Sequence, residues 1–225
     1  MFKRYAIFYT PPPGDWADFC AAWLGWSSAM GQTIPHPEVH GLDVATLTET
    51  PRKYGIHATM KAPFYLAEDQ SFEALENGVG AFCQTVAPVT LDGLELSRPK
   101  SFIALTPFGE VEMLQMLETR IVQDLEPFRA PLSDHDLTRR RAAGLTPKQD
   151  QYLVKWGYPF VMDEFRFHIT LTGRLDDGLA DTVKTVLQPH IAPLLPKPFV
   201  IDHLTLMGED ETGLFHHIHR YPLTG

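Results

Sequence analysis

Residues 3–10 alternate aromatic and small side chains and run into Pro11, Pro12 and Pro13. That pattern predicts a strand with a hard stop, because proline cannot donate to a ladder. Asp15 then stands where an N-cap would, ahead of an apolar run at helical spacing over residues 16–26. Residues 31–50 are rich in Pro and Gly and predict irregular chain, whereas residues 54–66 predict a strand. Ser71 caps a predicted helix reaching residue 85, and residues 89–96 with 101–106 predict a hairpin. In the middle, Val111, Leu114, Leu117, Ile121, Val122 and Leu125 fall on one face of a helix over residues 110–128. Residues 130–155 carry turn signals at Pro131 and Pro147 and predict helical pieces joined by loops. A strand over 165–175, a helix over 177–191 and a hairpin of 199–207 with 214–221 complete the order.

This order is a repeat. VTLDGLELSRPKSFIALTP answers to FVIDHLTLMGEDETGLFHHIHRYP, with Asp92 opposite Asp202 and Pro107 opposite Pro222. His57 precedes Asp92 by the same interval, within one residue, as His168 precedes Asp202. Internal duplication explains both facts. The expected organisation is a single two-lobed domain over 1–225, with pseudo-repeat halves of 1–109 and 110–225. The turn of the second hairpin is about five residues longer, an insertion that surface turns tolerate.

Alternate side chains share a face on a strand. In GIHATMKAPF that sets His57, Thr59 and Lys61 against Ile56, Ala58 and Met60. In FRFHITLTGR, Arg166, His168, Thr170 and Thr172 oppose Phe165, Phe167, Ile169 and Leu171. Duplication would turn the two polar faces toward each other across a cleft. Two imidazoles, two hydroxyls and nearby cations suit phosphoryl chemistry: one neutral His takes a proton and a protonated one gives it. Hydroxyls and cations donate to the oxygens on which charge builds. The reaction so drawn needs no metal and no cofactor. His203 and Thr205 form a third His-x-Thr, but the repeat places His203 opposite Gly93, so it is set aside.

Composition narrows the partner. The 225 residues are 44% hydrophobic and 21% charged, as in an ordinary globular chain, with a formal charge of −9. A long nucleic acid calls for a basic stripe. The main basic clusters are instead residues 139–141 and Arg52 with Lys53, which points to a small phosphorylated ligand; a monomer is expected. The expectation is a cytoplasmic protein, with no secretory leader and no apolar run long enough to span a membrane. Cys20 and Cys83 read as buried thiols.

The His-x-Thr pair in a duplicated α+β chain resembles the two-histidine phosphoesterase superfamily. That superfamily includes RNA 2′,3′-cyclic phosphodiesterases and 2′-5′ RNA ligase-like proteins. More narrowly, PRKYGIHATMKAPF, LTRRRAAGLTPKQD and WGYPFVMDEFRFHITLTG resemble a bacterial branch associated with phosphonate metabolism. The resemblance implies a bilobal, cyclic phosphodiesterase-like fold, with two antiparallel sheets facing across a central cleft and helices packed outside. It also implies His57 and His168 as the acid/base pair, with Thr59 and Thr170 on the phosphate. The substrate so implied is a small cyclic phosphodiester of the ribose 1,2-cyclic phosphate 5-phosphate type. The alternatives are an RNA-directed enzyme of the same chemistry, or a module that binds phosphate ligands without catalysis.

Further substrate contacts are expected from Lys61, Arg166, Arg141 and Tyr158. A helix over residues 139–141 would turn Arg141 about 200° from Arg139, so only one or two of the three arginines can serve. His216, His217 and His219 lack an acidic or thiol partner at ligand spacing, and no metal site is assigned to them. Trp16, Trp23 and Trp26 read as core.

Overall fold

The strand predicted at the start of the chain is buried on both faces, from Tyr5 to Tyr9, and a strand of that kind belongs in the middle of a sheet. In the computed structural model, which describes residues 2–225, this is where it lies. In chain order the elements begin with β1 (Arg4–Tyr9), α1 (Asp15–Leu24), a small ribbon of β2 (Trp26–Ser27) and β3 (Gln32–Thr33), and α2 (Val44–Arg52). Then come β4 (Ala58–Phe64), α3 (Phe72–Cys83), β5 (Val89–Leu91), β6 (Gly93–Ser97) and β7 (Ala104–Phe108). The middle holds α4 (Glu112–Asp124), α5 (Asp134–Arg141) and α6 (Pro147–Trp156). The chain closes with β8 (Ile169–Thr170), α7 (Asp177–Ile191), β9 (Phe199–Ile201), β10 (His203–Glu209) and β11 (Phe215–Pro222).

The expected α+β class is the one adopted. One antiparallel sheet has the order β11-β10-β1-β4, a second has β6-β7-β8, and β5 pairs with β9 between them. The strands that directly follow His57 and His168 each share a sheet with the hairpin of the other half of the chain. β4 joins the β10-β11 hairpin through β1, and β8 joins the β6-β7 hairpin directly. Thr90 faces Val200 at the centre of the β5–β9 pair, which ties the halves together at matching positions of the aligned segments. Helices pack outside: α3 on β10 and β11, α7 on β6, and α4 on β4. The edges of the two sheets, β4 and β8, adjoin and form the walls of the cleft.

The helix signals of α3, α4 and α7 appear where the periodicity puts them. Ser71 accepts a hydrogen bond from Ala74 N, and Asp176 one from Leu179 N. Four expectations change. Gly14 takes the N-cap position, so Asp15 falls inside the first turn, where with Asp18 it opposes the positive helix end. Residues 31–50 are not wholly irregular, because Asp43 caps α2 and Val44, Leu47 and Thr48 bury one side of it. The expected hairpin arms are each broken at the aligned aspartates, Asp92 and Asp202, which lets β5 and β9 leave their hairpins and pair with each other. Of residues 165–175 only Ile169 and Thr170 form ladder bonds, although burial alternates from Phe165 to Leu171 as expected of an extended segment.

Cys20 and Cys83 are buried free thiols, both pushed up to about 12 by that burial, so neither is a ready thiolate at neutral pH. No helix among the described residues is long and apolar enough to cross a membrane.

Candidate active site

His57 lies one residue before β4, at the end of a turn that requires glycine. Gly55 has φ +67°, and a Cβ there would come within 2.4 Å of Ser28 Oγ. The turn directs the Gly55 carbonyl at the imidazole, and His57 Nδ1 lies 2.9 Å from it. His168 has the same arrangement, with Nδ1 2.7 Å from the Arg166 carbonyl. A carbonyl can only accept, so each Nδ1 carries the proton and each ring turns Nε2 away from its tether. Two histidines, each held by the carbonyl two residues before it, therefore enter the cleft in the same tautomer.

Both rings line one cavity of about 520 Å³, together with Thr59 and Thr170. Among the described residues neither threonine hydroxyl has a partner in the protein, whereas Thr172, deeper in the wall, donates to the Gly173 carbonyl and accepts from Ile103 N. His57 packs 4.2 Å from the Phe8 ring and 5.3 Å from that of Tyr54. Burial in this apolar setting lowers its pKa to about 4, the Gly55 carbonyl partly offsets that, and the charge of His168 lowers it further. His57 is thus neutral at physiological pH, with a free Nε2 lone pair.

The remaining expected contacts are divided. Tyr158 lines the cavity, with the Arg140 guanidinium 5.4 Å from its ring centroid. Lys61 does not line it. Thr59 faces Phe8 and Lys61 faces Ile7, so Met60 is the extra residue of a bulge that reverses the alternation. Lys61 therefore turns into the protein, donates 2.8 Å to Glu126 and 3.0 Å to the Val122 carbonyl, and is only 3% exposed. Arg141 points to solvent and pairs with Asp150, while its neighbours Arg139 and Arg140 reach the cavity. Arg166 is tied to the carbonyls of Asp163 and Phe165 and borders an adjoining apolar cavity of about 300 Å³, which also touches His168 and Phe102.

Sequence reasoning passed over Arg4 and Tyr54 as cavity residues, and took Lys53 only as part of a basic cluster with Arg52. Lys53 and Tyr54 sit in the turn just before His57, and that proximity was the available signal. Arg4 reaches the cleft because β1 and β4 are neighbours, a pairing that no local pattern announces. His203 serves the fold: its Nε2–H donates to the Thr10 carbonyl at 2.8 Å and its Nδ1 bonds Asp202. The C-terminal histidines diverge. His216 bonds Asp210 at 2.8 Å, His217 lines a separate small cavity, and His219 packs at a tilt against Tyr221. Among the described residues no three His, Cys, Asp or Glu side chains gather as a metal site would require.

Comparison with known proteins gives relatives of two kinds. "Ribose 1,5-bisphosphate phosphokinase PhnN" of Janthinobacterium sp. (strain Marseille) is 34% identical over 231 residues, covering 99% of this chain and 51% of that protein. The protein of the same name from Laribacter hongkongensis (strain HLHK9) is 30% identical over 219 residues, covering 93% of this chain and 49% of its own length. The chain spans about half the length of the curated relatives it matches. Among solved structures, E. coli LigT complexed with 3′-AMP overlays all of both chains at 14% identity and a TM-score of 0.44, an overlap too loose to carry function. The model of the family described as "Protein of unknown function (DUF1045)" matches residues 59–216, from Thr59 through the whole second His–Thr segment, and the chain belongs to that family.

Proposed function

We propose that this chain is a two-histidine phosphoesterase that opens a small cyclic phosphodiester, with His57 as general base and His168 as general acid. The observation that carries the reading is the matched tethering of the two imidazoles at Nδ1, which leaves Nε2 free on two rings that line one cavity. The low pKa of His57 supports giving it the role of base. Water attacks phosphorus as His57 Nε2 takes its proton, the bond from phosphorus to one ring oxygen breaks, and His168 gives that oxygen a proton. Thr59 and Thr170 donate to the non-bridging oxygens, and the product is a phosphomonoester. No step is assigned to a metal or cofactor.

For the substrate, the name of the relatives is informative. Water opening a ribose 1,2-cyclic phosphate 5-phosphate at the bond to O2 yields ribose 1,5-bisphosphate, the compound for which those kinases are named. A sugar phosphate of this type is therefore the leading substrate. The apolar cavity beside His168, with Phe102 at 5.6 Å from its ring, favours a second reading in which the leaving group carries a base, as in a nucleoside 2′,3′-cyclic phosphate.

Hydrolysis of both substrates, with EDTA present and the His57→Ala/His168→Ala protein as blank, tests the reading. Turnover that the double variant lacks supports the acid/base pair, and the preferred substrate decides between sugar and nucleotide. Failure to turn over either one sinks the catalytic reading and leaves a phosphate-binding module. Dependence on a divalent ion, seen as loss in EDTA, sinks the mechanism as drawn.

A further inference from the structure

The cleft is cationic in an acidic protein. Arg4, Lys53, Arg139 and Arg140 line it, and no carboxylate does. Two of the four are already neutralised. Arg4 donates to Glu209 at 2.7 Å, and Arg139 to Asp136 at 2.7 Å. Among the described residues Arg140 and Lys53 form no ion pair and face aromatic rings, Lys53 Nζ lying 4.9 Å from the Tyr54 centroid. The Arg140 Nε–H is buried without any hydrogen-bond partner. That buried N–H has no surface open to a ligand, so the charge-assisted bonds to a phosphate would come from the terminal N–H groups of the same guanidinium, which lines the cavity. The two histidines and two threonines suffice for the phosphate that reacts. They leave this second cationic group without a task.

We propose that Arg140 and Lys53 form a subsite for a second, non-reacting phosphomonoester, which restricts the enzyme to substrates carrying a dianionic phosphate beyond the cyclic diester. The assignment rests on the acid/base reading for the identity of the reacting phosphate, and on the unpaired cations for the second. Arg140 sits above Tyr158, which itself packs edge-on against Phe160 at 5.7 Å, so the aromatic pair gives the guanidinium a resting place on the cavity wall. A planar fork there matches the oxygens of a terminal phosphate, whose binding would order α5, and the lysine adds a point charge. Arg139 has Asp136 as its partner, which offsets its charge, and is not part of the subsite.

Two measurements separate this proposal from the reading beneath it. The first is calorimetric binding of ribose 5-phosphate and of ribose to the wild-type, Arg140→Met, Arg140→Lys and His57→Ala/His168→Ala proteins. Ribose 5-phosphate is expected to bind and ribose not to. Affinity should fall about tenfold to a hundredfold in Arg140→Met, with Arg140→Lys intermediate because it keeps the charge and loses the fork. Equal affinity in Arg140→Met overturns the subsite, as does affinity that depends on the histidines instead. Arg140 lies on a helix with no buried residue, so the variant should fold, which a thermal melt checks. The second measurement compares kcat/KM for ribose 1,2-cyclic phosphate with and without its 5-phosphate. A preference that collapses in Arg140→Met supports both ideas. Equal turnover of the two substrates keeps the enzyme and discards the subsite. Arg140-dependent binding without turnover of either keeps the subsite and discards the enzyme.

Discussion

His57 and His168 look alike in sequence and differ in setting. One is packed against Phe8 and Tyr54 and pushed down to about 4, and the other sits at the more open mouth of the cleft beside Phe102. A base whose protonated form is suppressed this strongly should keep working well below the usual histidine range. The acid limb of kcat/KM is therefore expected near pH 4, and a limb near 6.5 would contradict His57 as the base. Single His57→Ala and His168→Ala variants should each lose about 10² to 10⁴ in kcat, the usual range for a positioned acid or base. Lys61 offers the opposite test. Lys61→Met strips Glu126 of one of its two cationic partners and leaves the Val122 carbonyl without its donor, so it should cost about 1–3 kcal/mol in urea unfolding. Its kcat/KM should change little once the folded fraction is matched. The two histidines and threonines were legible because alternation survives over those stretches. Lys61 was not, because a bulge at Met60 is a property of the pairing with β1 and leaves no mark in the alternation of β4 alone.

At the scale of elements, α5 is the weakest structure that reaches the site. It has no buried residue, and it is held by the Ser133 cap, the Arg141–Asp150 pair and the neighbouring α6, whose own start is a Thr146–Gln149 capping box. It nevertheless supplies Arg139 and Arg140 to the cavity. Few buried contacts mean low local stability. Amides of α5 should exchange orders of magnitude faster than those of β10, every residue of which is buried. Saturating ribose 5-phosphate should slow α5 and leave β10 unchanged. Exchange in α5 that is already slow, or indifferent to ligand, would mean that the helix is held by something other than its few polar ties. The sequence announced helical pieces here, with only one or two arginines able to serve, but it favoured Arg141. The choice between 139, 140 and 141 depends on how α5 is rotated, and an eight-residue helix with polar residues all round gives periodicity no purchase.

The whole molecule joins distant segments in ways that periodicity does not encode. Residues 4 and 209 meet, as do 91 and 199, and the two cleft sheets and the β5–β9 pair each take strands from both halves. That interleaving puts titrating groups of opposite tendency into one cooperative unit, and their signs fix a stability optimum. His57 and His217 are both lowered to about 4 by burial. Between there and the ordinary value of 6.5 the unfolded chain binds protons that the folded chain refuses, so stability falls as pH falls through this window. Each can account for up to about 3 kcal/mol at 1.36 kcal/mol per unit. Glu118, 1% exposed, behaves in the reverse sense, because burial raises it to about 8. The folded chain keeps that proton where the unfolded chain has lost it, so its contribution to stability falls as pH rises from 4.5 to 8. Below 6.5 two histidines oppose one glutamate, and above 6.5 the glutamate acts alone among these three. Urea unfolding across pH 4 to 8 should therefore give a maximum near pH 6.5. His217→Gln, remote from the cleft, should flatten the acid side, and Glu118→Gln the alkaline side. A maximum that stays at one pH and keeps its shape in both variants would show that these buried groups do not set the optimum.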